Sequence, residues 1–220
     1  ELSVEEAQDR LDEIEFMPNP YGRLATGFSF AMSGSAFAML MNTSWNTSLW
    51  AGLLGIVVYL FILWSERSKG IANMLEPLVA MMSAIGACAI AAYVDPGINI
   101  HLAILSSIIV LIPGLALTIG LQELSARHLV SGTAKIMDAV MMLFKLYFGA
   151  FVGVELGQEI FGKVEFVAQE LLPWWTAWLA IFILGWSLII AFRTRRRHMV
   201  WSLLIGFVAY GTSHYGSIHY

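Results

Sequence analysis

Seven long apolar stretches, separated by short polar connections, decide what this chain can fold into. A helix needs about 17 to 25 mostly apolar residues to cross the roughly 30 Å hydrocarbon core of a bilayer, and most of the stretches reach that length. The sequence therefore predicts an all-α, polytopic integral membrane protein with about seven transmembrane helices. The stretches are residues 24–41, 48–64, 71–94, 102–124, 133–154, 174–192 and 199–215.

The amino-acid composition narrows the classes of function. Hydrophobic residues are 58% of the chain and charged residues only 13%, whereas a soluble domain averages about 25% charged residues. The net charge is −4, and no basic stripe with interleaved aromatic residues occurs. The single cysteine, Cys88, excludes an intramolecular disulfide. We therefore expect a lipid bilayer, and no nucleic acid, among the partners of the chain.

Lysine and arginine residues concentrate in every second connection between the stretches. Short loops rich in these residues stay in the cytoplasm, so the alternation predicts a cytoplasmic N-terminus and an external chain end. Two lysines do not follow the alternation, because Lys163 lies among glutamates in the fifth outer connection and Lys145 lies inside a stretch. The lysines and arginines that obey the alternation are Arg10, Arg23, Arg67, Lys69, Arg127, Lys135, Arg193, Arg195, Arg196 and Arg197.

The N-terminal 23 residues read as a cytosolic amphipathic helix and a connector. Ser3 and Glu6 form a capping-box pattern, and apolar residues then recur at helical spacing against an acidic face. Pro18 and Pro20 favour an extended connector before the first stretch. The chain begins without methionine and stops just after a stretch, so we expect it to be a piece of a longer protein.

Pro113 and Gly114 lie in the middle of the fourth stretch. Proline removes a backbone hydrogen bond and clashes with the preceding turn, so a kink is predicted here. One interpretation is a discontinuous helix whose opened backbone faces a substrate cavity, as in many secondary transporters. The other is a structural kink filled by neighbouring helices. Under the first interpretation Thr118, one turn beyond Gly114, bonds a substrate hydroxyl.

Charged residues inside the fifth stretch are the second candidate site. Asp138 and Lys145 are seven positions apart and share a helix face. An intramembrane charge costs about 2.5 to 3.5 kcal/mol on insertion scales, so it is expected to face a bundle interior or a wet cavity. We interpret the two as a coupled pair, with an interfacial Asp138 and a snorkelling Lys145 as the alternative. Glu76 is either an interfacial acid or a gate residue, and Glu155 lies near the outer end.

Other patterns favour packing over chemistry. Gly149, Gly153 and Gly157 repeat at every fourth position, which is typical of a small-residue ridge for close helix packing. The histidines lie mostly at the ends of stretches and follow no metal-binding spacing. Residues 33–36 resemble an intramembrane serine protease motif only superficially. We therefore predict no metal, no cofactor and no enzymatic activity.

Several of these segments, taken in order, resemble the threonine/serine exporter family. The strongest is the proline-glycine block at residues 111–114, which leads to Gln122, Glu123 and Leu124 and then to Ser131 and Gly132. The chain has Glu123 in the region where the family pattern commonly has an aspartate. The weaker matches are residues 3–7, residues 11–14, Pro20 with Tyr21, and Asp95 with Pro96.

The resemblance implies a proton-coupled exporter of small hydroxylated amino acids in the bacterial inner membrane. It divides the chain into an N-terminal cytosolic part (1–23), a first membrane module of five helices (24–157), an outer interfacial segment (158–173) and the incomplete start of a second module (174–220). Its partners would be a small amino acid, protons and the bilayer, and a homo-oligomer is left open.

The sequence therefore predicts a secondary active exporter of threonine or serine. The alternatives are an exporter of another small metabolite, such as a dicarboxylate, and a non-catalytic membrane subunit or scaffold that needs a partner chain. The residues that we predict for substrate binding or proton coupling are Pro113, Gly114, Thr118, Glu123, Asp138, Lys145 and Glu76.

Overall fold

A computed structural model of the chain describes residues 21–67, 70, 74–162, 170–192, 194 and 198–219. This part contains eight helices, one short 3₁₀ turn and no strand, as the all-α prediction requires. The predicted amphipathic helix, residues 163–169 of the outer interfacial segment and all four arginines of the cluster at 193–197 lie outside the described residues. The helices are α1 Arg23–Leu40, α2 Trp45–Ser65, α3 Leu75–Tyr93, α4 Ile100–Ser107, α5 Gly114–Ser125, α6 Leu129–Phe161, α7 Thr176–Ala191 and α8 Met199–His219.

Three of the helices, α2, α3 and α6, are long and apolar enough to cross a membrane. Helix α4 and the segment Ile109–Ser125 pass the same test together but are bent by 50°, so they make a fourth crossing if they count as one broken span. Helix α7 and the Met199–Ser213 part of α8 are apolar but shorter. Each predicted stretch thus coincides with a helix or with the bent pair. The count of seven crossings is not confirmed.

Polar caps fix the ends of α2 and α4 against each other. The Ser44 hydroxyl accepts a hydrogen bond from the Thr47 amide at 3.2 Å and begins α2. The Asn99 side chain does the same for the Leu102 amide at 3.1 Å and begins α4. The backbone N–H of Asn99 also donates to the Thr47 hydroxyl, with 3.2 Å between nitrogen and oxygen. Hydrogen bonds therefore join the capped start of α2 to the capped start of α4.

Helices α3 and α6 pack through the predicted glycine ridge. A Cβ atom added at Gly149 would lie 2.7 Å from Pro77 Cα and closer still to the Pro77 carbonyl oxygen. One added at Gly153 would lie 2.5 Å from the Met81 carbonyl oxygen. The two backbones can approach this closely only because these positions carry no side chain. The predicted packing role of the ridge is confirmed.

Helix α1 packs against α2 and α7, and small residues bring it close to α2. A Cβ atom at Gly34 would lie 2.7 Å from the Ala51 carbonyl oxygen of α2. Ser29 and Ser33 are fully buried, and their hydroxyls donate to carbonyl oxygens of their own helix at 2.7 and 2.9 Å. These hydroxyls are therefore satisfied locally, which lets a comparatively polar helix lie inside the bundle.

Candidate functional site

The fourth predicted stretch is broken at Pro113. After α4, a 3₁₀ turn covers Ile109–Leu111, Ile112 is extended (φ −67°, ψ 125°), and α5 begins at Gly114. The Gly114 amide donates to the Ile112 carbonyl at 2.8 Å. The predicted kink is confirmed, and its cause is the missing amide hydrogen of Pro113.

A groove of about 550 Å³ runs between the broken span and α6. Ile112, beside the break, lies at one end, while His101, Glu155 and Gln158 lie at the other. Between these ends the wall is apolar, and it includes Ile104, Ile108, Leu143, Leu146, Tyr147, Ala150, Phe151 and Val154. The groove therefore joins the break in α4–α5 to a polar mouth.

A second cavity of about 230 Å³ adjoins the mouth, because His101 and Gln158 line both spaces. Its other walls come from Asn99 and from the α3–α4 connection around Pro96. The capped start of α4 holds Asn99 and His101 at this place. The sequence did not lead us to His101, Asn99 or Gln158. The only signal was the helical spacing of Leu143, Tyr147, Val154 and Gln158 on one face of α6.

The predicted substrate residues around the break face open space. Among the described residues, no atom outside the adjacent backbone of α5 lies within 4 Å of a Cβ built at Gly114. The Thr118 hydroxyl is exposed and donates to the Gly114 carbonyl oxygen at 2.9 Å. Pro113, Gly114 and Thr118 therefore lie together at the start of α5. No side chain of the described residues caps this start.

Glu123 lies away from the break, where α5 turns back into α6. Its carboxylate pairs with Lys135 across the helical hairpin. The hairpin is tight because Gly120 and Gly132 face each other, and a Cβ atom at Gly132 would lie 3.0 Å from the Gly120 carbonyl oxygen. Arg127, in the connecting turn, has a positive φ of 64°.

Lys145 pairs with Glu76 of α3, with 3.8 Å between Lys145 Nζ and Glu76 Oε2. The close approach of Gly149 to Pro77 brings these residues together. The predicted partner Asp138 is seven positions away, which is about 10 Å along a helix axis and too far for a direct ion pair. Within the described part of the chain Asp138 is exposed and makes no ion pair. The predicted Asp138–Lys145 pair is therefore replaced by a Glu76–Lys145 pair.

The groove and the Glu76–Lys145 pair lie on opposite sides of α6. Lys145 and the groove residue Val154 are nine positions apart, which corresponds to two and a half turns of about 3.6 residues each. The structure thus distributes six of the seven predicted residues over three places and leaves Asp138 exposed on α6. These are the break (Pro113, Gly114, Thr118), the α5–α6 hairpin (Glu123) and the α3–α6 flank (Glu76, Lys145).

We expect Glu76 and Lys145 to act as one unit. In a double-mutant cycle, Glu76→Gln and Lys145→Met should each lower the melting temperature, and the double variant should lose less than the sum of the two. The coupling is expected to be about 1 kcal/mol or less because both side chains are partly exposed. Asp138→Asn is the control and should not couple to Lys145→Met. Additive losses for Glu76 and Lys145 would show that the contact carries no energy.

Among the described residues, no three His, Cys, Asp or Glu side chains form a group that could hold a metal ion. The arrangement consists instead of apolar helices, a broken span and a cavity beside it. This arrangement defines an all-helical integral membrane protein with an open cavity beside a discontinuous helix.

The chain belongs to the threonine/serine exporter family, whose sequence profile matches residues 1–157. It is 26% identical over 185 residues to a threonine/serine exporter of Corynebacterium glutamicum, covering 82% of this chain and 38% of that protein. It is 27% identical over 206 residues to pheromone-regulated membrane protein 10 of Eremothecium gossypii, covering 86% and 26%. The chain thus spans well under half the length of these relatives. No solved structure matches it.

Proposed function

We propose that the chain is part of a proton-coupled exporter of threonine, serine or similar small amino acids in a bacterial inner membrane. The observation that carries the proposal is the family match over a chain whose fourth stretch is broken beside a cavity. In this proposal residues 24–157 are a first membrane module and residues 174–220 are the start of a second. All seven stretches cross the membrane.

The substrate site in this proposal is the break at Pro113 and Gly114. A zwitterionic amino acid that enters a membrane must exchange water for protein dipoles. The start of α5 carries roughly half a positive charge and uncapped amides, which suit the substrate carboxylate. Carbonyl oxygens before Pro113, which lose their helical partners at the break, suit the ammonium, and Thr118 can turn its hydroxyl from the Gly114 carbonyl to the hydroxyl of the substrate. The open space at Gly114 leaves room for it.

Glu123 and Glu76 are the carboxylates that we propose for proton coupling. Each pairs with a lysine, Lys135 and Lys145 respectively. Protonation of the carboxylate removes the ion pair, so each pair has two states with different helix contacts. Both acids lie on contacts of α6, which also walls the groove. A proton on either acid can therefore change the packing of α6.

The direct test is transport by the full-length protein in liposomes. A threonine gradient directed out of the liposomes should drive proton movement across the membrane, and no such movement should occur without threonine. Glu123→Gln or Glu76→Gln should uncouple the proton flux from the threonine flux. A non-catalytic subunit or scaffold would move neither threonine nor protons. A dicarboxylate exporter would respond to that substrate and ignore threonine.

The proposed orientation makes a separate prediction. In a Cys88→Ala background, a cysteine at Arg195 should react only with a membrane-impermeant reagent on the cytoplasmic side. A cysteine at Asn99 should react only from outside, because these positions lie in connections of opposite lysine and arginine content. Reaction of both positions from the same side would contradict the seven-crossing topology.

A further inference from the structure

The groove and the cavity at its mouth together form a space much larger than the proposed substrate. The groove alone holds about 550 Å³, the share of roughly 18 water molecules at about 30 Å³ each. Its wall is apolar except at the mouth, whereas threonine is polar over most of its surface. The space therefore suits a longer, amphipathic molecule.

The apolar part of the groove has the length of one lipid leaflet. Leu143 and Val154 are eleven positions apart on α6, which corresponds to about 16 Å of helix axis. Half of the roughly 30 Å hydrocarbon core is about 15 Å. Ile104, Ile108 and Leu146, which line the same length, are 4%, 5% and 3% exposed. An acyl chain that lies along this wall would bring its glycerol end to the polar mouth.

The mouth carries complementary chemistry for a zwitterionic headgroup. Glu155 supplies a carboxylate that accepts hydrogen bonds from an ammonium. His101 and Gln158 supply ring and amide N–H donors for a phosphate. Asn99 adds its amide NH₂ group, since its oxygen already accepts from the Leu102 amide.

We propose that this groove is a binding site for an aminophospholipid with a primary ammonium headgroup. The ammonium lies on Glu155, the phosphate lies between His101 and Gln158, and one acyl chain runs along residues 143–154 of α6. The proposed lipid occupies the groove from its mouth to Leu143, and the proposed substrate site at Pro113 and Gly114 lies beyond Ile112 at the other end of the groove.

Two other occupants fit the groove less well. Among the described residues that line the two cavities, none is lysine or arginine. The negative headgroup of an anionic lipid would therefore lie beside the Glu155 carboxylate with no positive side chain to pair with. An apolar helix from another part of a longer chain would fill the groove but would place apolar surface against the Glu155 carboxylate, which is costly. A lipid ammonium removes that cost.

The test uses the full chain, purified in detergent and stripped of lipid. Phosphatidylethanolamine should raise its melting temperature by several degrees, whereas phosphatidylglycerol should not. Glu155→Gln keeps the side-chain shape and should raise the phosphatidylethanolamine concentration for a half-maximal shift about tenfold, the size of one lost charge-assisted hydrogen bond. The matched control is Glu159→Gln, one turn further along α6 and outside the groove lining, which should behave as the wild type.

Ala150→Phe provides a second measurement, because it fills the acyl part of the groove and leaves the mouth intact. It should reduce the phosphatidylethanolamine that co-purifies, measured by lipid mass spectrometry. Equal stabilisation of the wild type by both lipids, or an unchanged response in Glu155→Gln, would overturn the proposal. A threonine-induced shift that Glu155→Gln abolishes would assign the mouth to the substrate. If a thiol reagent failed to label the Tyr147→Cys variant in the lipid-free protein, another part of the protein would cover the groove, and this result would also overturn the proposal.

Discussion

Gly149→Val is expected to abolish the folded protein or to lower its melting temperature by more than any other single change considered. The new side chain would meet the Pro77 backbone, whose Cα atom lies 2.7 Å from an ideal Cβ position. Backbone cannot rotate away as a flexible side chain can, so α3 and α6 must separate. Overpacking of this kind costs about 1 to 3 kcal/mol and occasionally more. Monodispersity on a sizing column and the melting temperature measure the effect.

The matched control for Gly149→Val is Gly206→Val in α8. No atom lies within 4 Å of a Cβ built at Gly206, so the same substitution meets no obstacle in the described structure. Both changes place a β-branched residue in an apolar helix and have the same propensity cost. If the two variants lost equal stability, propensity and not the α3–α6 contact would be the cause.

Gly114→Leu is expected to leave folding intact and to eliminate threonine efflux. In the part of the chain that the structure describes, a Cβ atom at Gly114 meets no atom within 4 Å outside the adjacent helix backbone, so the leucine side chain enters open space and not a packed interface. In the proposed site that space belongs to the substrate. Expression and melting temperature without threonine should match the wild type, while threonine-induced stabilisation and efflux from liposomes should both be lost.

Gly22→Leu is the control for this second prediction. Gly22 also has open space around its Cβ position, but it lies before α1 and away from the break. It should transport normally. Unchanged threonine affinity in Gly114→Leu would place the substrate elsewhere and make the break a structural kink. Loss of transport together with loss of folding would instead show that the break itself requires glycine.

Local sequence patterns predicted the parts of this fold that local chemistry determines. Each apolar stretch coincides with a helix or the bent pair, Pro113 breaks its helix, and the glycine ridge packs closely. Helix ends were less predictable, because α6 extends from Leu129 to Phe161 while hydropathy predicted only residues 133–154. Helical hydrogen bonds continue past the edge of the apolar pattern, since they do not depend on lipid.

The contacts between distant parts of the chain were not predictable in the same way. Periodicity put Asp138 and Lys145 on one face of α6, but it contained nothing about which residue of another helix would lie opposite. Glu76 reaches Lys145 only because Gly149 allows α6 to approach Pro77. His101 looked like an ordinary residue at the end of a stretch. Its place in the groove depends on how α4 and α6 both pack against α3, which no window of local sequence contains.

The 33 residues of α6 make it about 50 Å long, at a rise of about 1.5 Å per residue. A bilayer core of about 30 Å holds at most roughly 40 Å of such a helix even at a tilt of about 40°. An α6 that crosses a bilayer must therefore extend about 10 Å beyond the hydrocarbon core. A rotation of about 10° around its midpoint would move each end by about 4 Å, in opposite directions. In an α6 that crosses a bilayer, the Glu123–Lys135 hairpin and the polar mouth at Glu155 would therefore move together, in opposite directions.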